Sequence, residues 1–297
     1  MRRRFVTLDV FTSRRLTGNP LAVVLDPDGL DTAAMQAIAR EFNLSETVFV
    51  LPPDAPAHRA KLRIFTPARE LPFAGHPTVG TAVLLARLDG GVTGEIVLEE
   101  AIGPVRCDVQ PRGEDSGFAR FDVAKRPEEV GAGPDARTVA AALNLEPSDI
   151  GFDGITPAKW SAGNPLLFVP VRDLDAIARS RPDMAHWDAA VDRGVTGMFL
   201  FCRETVEAGN AFHARMFAPA AGVAEDPATG SAAAAFAGWV ARHGGLGDGA
   251  HALRIEQGFE MGRPSLMTVA VTIEGGKLAT AWVGGDAVVV SEGTIEA

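Results

Sequence analysis

The chain has 297 residues, 46% of them apolar, with 28 basic and 38 acidic side chains and a formal net charge of −10. That length suits two domains with packed interiors. The acidic balance argues against a nucleic-acid surface, and no apolar run is long enough to span a membrane.

In chain order, the basic run Arg2, Arg3 and Arg4 leads into FVTLDVFTS. Asp9 interrupts the place where a leader's apolar region would lie, so no signal peptide is expected. Short β-branched or alternating runs bounded by Gly, Pro and Asp predict strands at 2–11, 21–26, 46–52, 61–67 and 95–109. DTAAMQAIAREFN (31–43) has helical spacing, with Ala34, Met35, Ile38 and Phe42 on one face and Asp31 as N-cap. A helix is also expected in ELPFAGHPTVGTAVLLARL (70–88). The stretch 122–136, rich in Pro, Gly and charge, reads as a linker, which predicts domains at 1–125 and 126–297. Beyond it, helices are expected at 135–145, 187–194 and 231–241, and strands at 165–171, 197–204, 211–219, 253–261, 266–276 and 277–285. Gly275-Gly276 between alternating runs signals a hairpin. The last strand, about 286–297, is expected to return to the first domain. Cys107 and Cys202 lie in no metal or redox pattern and read as buried small side chains of a cytoplasmic protein.

The two halves repeat. TGNPLAVVL (17–25), KLRIFTP (61–67) and GHPTVGTA (75–82) are followed in the same order by AGNPLLFVP (162–170), HARMFAP (213–219) and EDPATGSA (225–232). The paired asparagines Asn19 and Asn164 lie 145 residues apart, Arg63 and Arg215 lie 152 apart, and His76 and Asp226 lie 150 apart. Each half reads as α+β, and together they suggest a duplicated unit.

Within the repeat, Pro77 and Pro227 suit the first position of a helix, with His76 and Asp226 as N-caps. The backbone N–H groups of Thr78, Val79 and Gly80, and of Ala228, Thr229 and Gly230, would then be free to bind a carboxylate at a positive helix end. If a twofold relates the halves, both helix starts face one cleft that holds a small anionic metabolite. A third polar candidate is Glu46, in FNLSETVFV (42–50), at the mouth of an apolar strand. Partial desolvation there would raise its pKa and suit a proton shuttle; the alternative is a solvated strand-end carboxylate. Arg63 and Arg215 could be structural ion-pair partners.

The segments TGNPLAVV, NLSETVFV, RIFTPARELPFAGHPTVGTA and EDPATGSAAAA, with EQGFEMGRPS (256–265), resemble the PhzF-like phenazine-biosynthesis isomerases over nearly the whole chain. The resemblance implies the diaminopimelate epimerase-like fold: two pseudo-symmetric α+β domains, each a curled, mainly antiparallel sheet around a central helix. It implies an isomerase without cofactor or metal, and a homodimer, acting on trans-2,3-dihydro-3-hydroxyanthranilate or an analogue. Glu46 matches the family's catalytic glutamate, and Ser45, Gly75, His76, Asp226 and Ser231 match its substrate-contacting residues. Gly230 and Asn19 join them as binding candidates. Related epimerases use a cysteine at each helix start, whereas here those places read Gly75-His76 and Glu225-Asp226, so a two-thiol mechanism is excluded.

Two other readings stay open. Ser231, His76 and Asp226 could serve hydrolase-like chemistry, although no G-x-S-x-G elbow is present. A non-enzymatic small-molecule binder could use the same scaffold. There is no dinucleotide fingerprint or phosphate-loop lysine, and His58, His186, His213, His243 and His251 lack metal-ligand spacing.

Overall fold

The computed structural model describes residues 1–91 and 93–297. The chain groups into two compact units, Met1–Asp122 with Val283–Ala297, and Val123–Trp282. Among the described residues no helix is long and apolar enough to cross a membrane.

The first unit runs β1 (Arg2–Val10), β2 (Asn19–Val24), α1 (Thr32–Phe42), β3 (Glu46–Leu51), β4 (Ala60–Phe65), β5 (Glu70–Leu71), α2 (Gly75–Leu88), β6 (Gly94–Glu100), β7 (Gly103–Pro111) and β8 (Ser116–Asp122). Pairing is antiparallel except for β2 with β3 and β4 with β6. Each parallel pair is joined through a helix, as parallel strands require a long crossover. Asp31 caps α1 by accepting the Ala34 N–H at 2.8 Å, and Asn43 ends it with φ 51°. Met35, Ile38 and Ala39 seat α1 on Val24, Phe49 and Phe65.

Helix α2 differs in kind. Every residue from Gly75 to Ala86 is buried, and the helix touches β1, β2, β3, β6, β7 and β8. Its small and aliphatic residues on every side suit burial all round. A Cβ on Gly80 would come within 2.7 Å of both Leu21 and Val10, so glycine sets how closely α2 approaches β1 and β2.

The second unit runs β9 (Glu128–Ala132), α3 (Ala136–Leu143), β10 (Ala158–Ser161), β11 (Pro165–Pro170), α4 (Leu174–Arg179), α5 (Met184–Ala190), β12 (Met198–Cys202), β13 (Phe212–Ala218), β14 (Val223–Asp226), α6 (Gly230–His243), β15 (Gly249–Gln257) and β16 (Ser265–Glu274). The final strand β17 (Lys277–Glu296) begins in this unit, and its part from Val283 onward belongs to the first, where it pairs with β1. The pairing pattern of the first unit recurs: β11 with β12 and β13 with β15 are parallel, while β12–β13, β13–β14 and β15–β16 are antiparallel. Helix α6 is the counterpart of α2, with Ala232 to Val240 buried. Its Phe236 and Trp239 meet Phe201 and Phe212 at ring separations of 4.7 to 5.6 Å.

Several expectations shift. The predicted linker contains β9, which pairs with β10. The helix expected at 187–194 lies at Met184–Ala190, capped by Asp183, whose side chain takes the Ala185 N–H. The strand expected to reach residue 261 stops at Gln257, because Gly258 turns the chain with φ +78°. Strand β8 and helix α4 have no sequence prediction. Gly275 and Gly276 do form the two-residue hairpin turn, with φ 57° and 70°, and donate to the Asp248 carboxylate.

The paired arginines are structural in both units. Arg63 binds Glu70 at 2.7 Å and lies over Phe65, while Arg215 binds Glu225 at 2.8 Å and lies over Phe217. Arg215 also donates to the carbonyls of Ile177, Ala178 and Ser180 at the C-terminal end of α4. Their surroundings differ: the Arg63 side chain is 24% exposed and that of Arg215 only 4%. Removing one member of a buried pair strands the other, whereas a partly exposed pair is screened. Arg215→Ala is therefore expected to cost about 3–5 kcal/mol and Arg63→Ala about 1 kcal/mol. Urea unfolding of the two variants measures the difference, and equal costs would contradict it.

Candidate active site

In the first unit, three chain segments meet at the start of α2. Glu46 opens β3 beside Leu21 of β2, Ser45 precedes it half-buried, and Asn19 is fully buried at the head of β2. Gly75 and His76 are the first two residues of α2. His76 Nδ1 lies 3.4 Å from Glu46 Oε2, with the Glu46 side chain 16% exposed and that of His76 4%. This is a contact somewhat longer than a strong charge-assisted hydrogen bond.

Burial pushes the His76 pKa down to about 3, against a smaller opposing effect of its hydrogen bond to the Pro20 carbonyl. The imidazole is thus neutral near pH 7. Its Nε2 is buried without a hydrogen-bond partner among the described residues. The bond to Pro20 therefore falls to Nδ1, which assigns the proton there and leaves Nε2 as an acceptor. Pro20 was not singled out from the sequence, because a backbone acceptor carries no side-chain signal.

One turn on, Thr78 Oγ1 lies 2.8 Å from the Ala74 carbonyl and 2.7 Å from Glu100 Oε1. The hydroxyl has one proton. If that proton goes to Ala74, Glu100 must be the donor, in its neutral acid form. Burial agrees: it pushes the Glu100 pKa up to about 8, with the Thr78 contact opposing.

The helix starts depart from expectation. The N-cap of α2 is Ala74, without a side-chain cap, so His76 stands inside the first turn. Thr78 N–H is bonded to the Ala74 carbonyl at 3.2 Å and is not free; Val79 and Gly80 lie within the helix. The donors ahead of that bond are those of Gly75 and His76.

In the second unit, α6 starts at Gly230, after Thr229. Asp226 ends β14 opposite Met216, and Pro227 precedes the helix. An N-cap carbonyl accepts the first intrahelical bond, but the Asp226 carbonyl accepts from Gln257 Nε2 at 2.6 Å. Asp226 is thereby not the cap. Thr229 N–H donates to Gln257 Oε1 at 3.2 Å, so it too is occupied. Gly230 and Ser231 are the first two helical residues, and the first intrahelical bond runs from Ala233 to Thr229. The Asp226 carboxylate accepts from Thr229 Oγ1 at 2.6 Å.

Cys107 and Cys202 are free and buried, and burial pushes Cys107 well up and Cys202 up to about 12. Neither lies at a helix start. Both behave as inert packing groups.

Two titrations check these assignments. The native fold keeps the Glu100 proton up to about pH 8, while the unfolded chain loses it near 4.5. The unfolded state binds fewer protons across that interval, so this group's contribution to stability is full at low pH and is lost as pH rises toward 8. Glu100→Gln is expected to be progressively favoured over the parent in urea unfolding from pH 5 to pH 9; a constant gap would show Glu100 to be ionised. Nitrogen-detected NMR of the His76 ring is expected to show an unchanged neutral Nδ1–H tautomer from pH 8 to pH 5. A transition near 6.5 would contradict the burial argument.

Known proteins share the sequence and the fold of this chain. The family description "Phenazine biosynthesis-like protein" matches residues 8–293. An uncharacterised isomerase of Mesorhizobium japonicum is 53% identical, over 99% of this chain and 98% of the relative. The trans-2,3-dihydro-3-hydroxyanthranilate isomerase of Pseudomonas fluorescens is 38% identical over 98% of each chain. The crystal structure of a PhzF-family phenazine biosynthesis protein of Bacillus anthracis superposes with a TM-score of 0.89 at 28% identity, covering 100% of both chains. With a match of that extent and relatives named as isomerases, the chain belongs to the phenazine biosynthesis-like family and is an isomerase.

Proposed function

We propose that the protein moves a proton between carbon atoms of a small carboxylate-bearing substrate, trans-2,3-dihydro-3-hydroxyanthranilate or an analogue. The reading rests on one observation: a strand-end carboxylate, Glu46, held 3.4 Å from a buried neutral imidazole. The substrate class comes from the Pseudomonas fluorescens relative. A proton shift is redox-neutral and transfers no group, so its chemistry calls for no cofactor.

In this reading Glu46 takes the proton from one carbon and returns it to another. His76 cannot act as a competing acid, because it carries no excess proton at neutral pH. Its Nδ1–H is held by the Pro20 carbonyl, which fixes the ring beside Glu46, and its Nε2 accepts from a substrate amine or hydroxyl. Gly75, Gly230 and Ser231 offer first-turn N–H groups to the substrate carboxylate. Asp226, Ser45 and Asn19 complete the binding set. The recurrence of one strand-pairing pattern in both units supports a pseudo-symmetric pair of diaminopimelate epimerase-like domains, 1–125 and 126–297 with the last strand, about 286–297, packing on the first, and with a curled sheet about α2 and about α6. Two buried unpaired cysteines suit a cytoplasmic setting, and the homodimer follows the family resemblance. The hydrolase and pure-binder readings lose ground, since the relatives are isomerases.

Glu46→Gln keeps the shape and removes the base. Loss of a proton-transfer group costs about 10²–10⁴-fold in rate. The variant is expected to lose more than 99% of turnover of trans-2,3-dihydro-3-hydroxyanthranilate, and of deuterium uptake from D₂O, while binding within about threefold of the parent. Turnover above about 1% would remove Glu46 from the role.

A further inference from the structure

The segment EQGFEMGRPS (256–265) has no place in the reaction as read so far, yet it is anchored more firmly than a connecting loop requires. Glu256 and Gln257 are both fully buried. Glu256 accepts from the Val206 and Glu207 N–H groups, Asn210 Nδ2 and His213 Nδ1. The other ring nitrogen, His213 Nε2, meets Glu260 at 2.9 Å. Burial alone would lower the His213 pKa, but the two carboxylates outweigh it and raise it. An imidazole held between Glu256 and Glu260 ties the turn to β13.

The turn is pressed against the bend that follows Asp226. A Cβ on Gly258 would lie 2.6 Å from the Pro227 carbonyl oxygen and 3.1 Å from Pro227 Cα. Gln257 spans the same bend. Its Nε2 donates to the Asp226 carbonyl at 2.6 Å and to Thr229 Oγ1 at 3.1 Å, and its Oε1 accepts the Thr229 N–H at 3.2 Å. Since the Thr229 oxygen takes the Gln257 proton, its own proton is directed to Asp226 Oδ2, 2.6 Å away. The amide thus sets the direction of a hydroxyl, and the hydroxyl sets the carboxylate. Of the carboxylates nearby in sequence, Glu225 pairs with Arg215 and Glu260 with His213.

We propose that Gln257 and Thr229 are positioning residues that orient the Asp226 carboxylate and hold it ionised for the substrate, with residues 256–263 as their rigid mount. Glutamine, rather than glutamate, is required at position 257, because the site needs two donations and one acceptance from a single planar group. The inference rests on Asp226 contacting the substrate.

The test is a carboxyl-carbon NMR titration of Asp226 in the full chain, with the resonance assigned by its absence in Asp226→Asn. A hydrogen bond to a carboxylate lowers its pKa. Near-isosteric Thr229→Val is expected to raise the Asp226 pKa by about one unit, Thr229→Ser to restore it, and Gln257→Glu to raise it as well, in line with the worth of a bond to a charged group. In turnover of trans-2,3-dihydro-3-hydroxyanthranilate, Thr229→Val is expected to lower kcat about tenfold with KM within about threefold, and Thr229→Ser to recover it. An Asp226 pKa unchanged within about 0.3 units in Thr229→Val overturns the proposal, whatever the activity. If the pKa moves but Asp226→Asn retains full turnover, the orienting relay stands and the assigned role of Asp226 fails instead. Because Thr229→Val tests the relay at its last link, a Gln257→Glu variant that fails to fold does not affect the outcome.

Discussion

The organising constraint is that α2 is buried around its whole circumference from its first residue. A surface helix can leave its early N–H groups and polar side chains to water; α2 cannot, because Gly75 to Ala86 are all shielded. Each polar group in that stretch needs an internal solution. His76 stays neutral and gives its Nδ1 proton to the Pro20 carbonyl, and Thr78 turns back to Ala74 while Glu100 is kept protonated against it. The polar chemistry beside Glu46 is therefore a consequence of where the helix is packed. It also explains why the imidazole tautomer is determined: among the described residues only one ring nitrogen has a hydrogen-bond acceptor.

Duplication gives the second unit the same frame with different filling. The strand pairing recurs, an arginine again lies over a phenylalanine two residues on and pairs with a glutamate, and one long helix is again buried. What differs is the helix start. In α2 the polar residue sits inside the first turn; in the second unit Asp226 stays on the strand, and Gln257 takes its carbonyl. The core differs as well: Phe236 and Trp239 of α6 stack at 4.9 Å, where α2 uses small and aliphatic side chains. Such divergence is tolerable because the pairing pattern depends on the backbone, whereas side chains at a helix start answer only to their neighbours.

Legibility followed the range of each interaction. The N-cap at Asp31 rests on a contact three residues on, and the Gly275-Gly276 turn on two adjacent glycines at positive φ; local pattern sufficed for both. Strand β8 was missed because SGFARFD is short, without β-branched residues, and it owes its place to pairing with β7. The helix expected to begin at Pro227 failed for a similar reason. Asp-Pro is a sound cap-and-start signal, yet a glutamine 31 residues along the chain, counting from Asp226, competes for the same backbone groups and wins. At the site, Glu46 and His76 stood out by type and motif, but Pro20, Gln257 and Glu100 did not, since each acts through a partner distant in sequence.

The sequence alone determined the α+β class, the doubled motif order, the family and the short list of polar residues on which chemistry could rest. These depend on composition, periodicity and residue identity, which the chain carries locally. Only the tertiary structure decided that His76 is a buried neutral acceptor lying against Glu46, that Asp226 ends a strand instead of capping a helix, and that Glu100 keeps its proton. Charge state and orientation are set by what surrounds a group, and burial and hydrogen-bond partners exist only once remote segments have packed together.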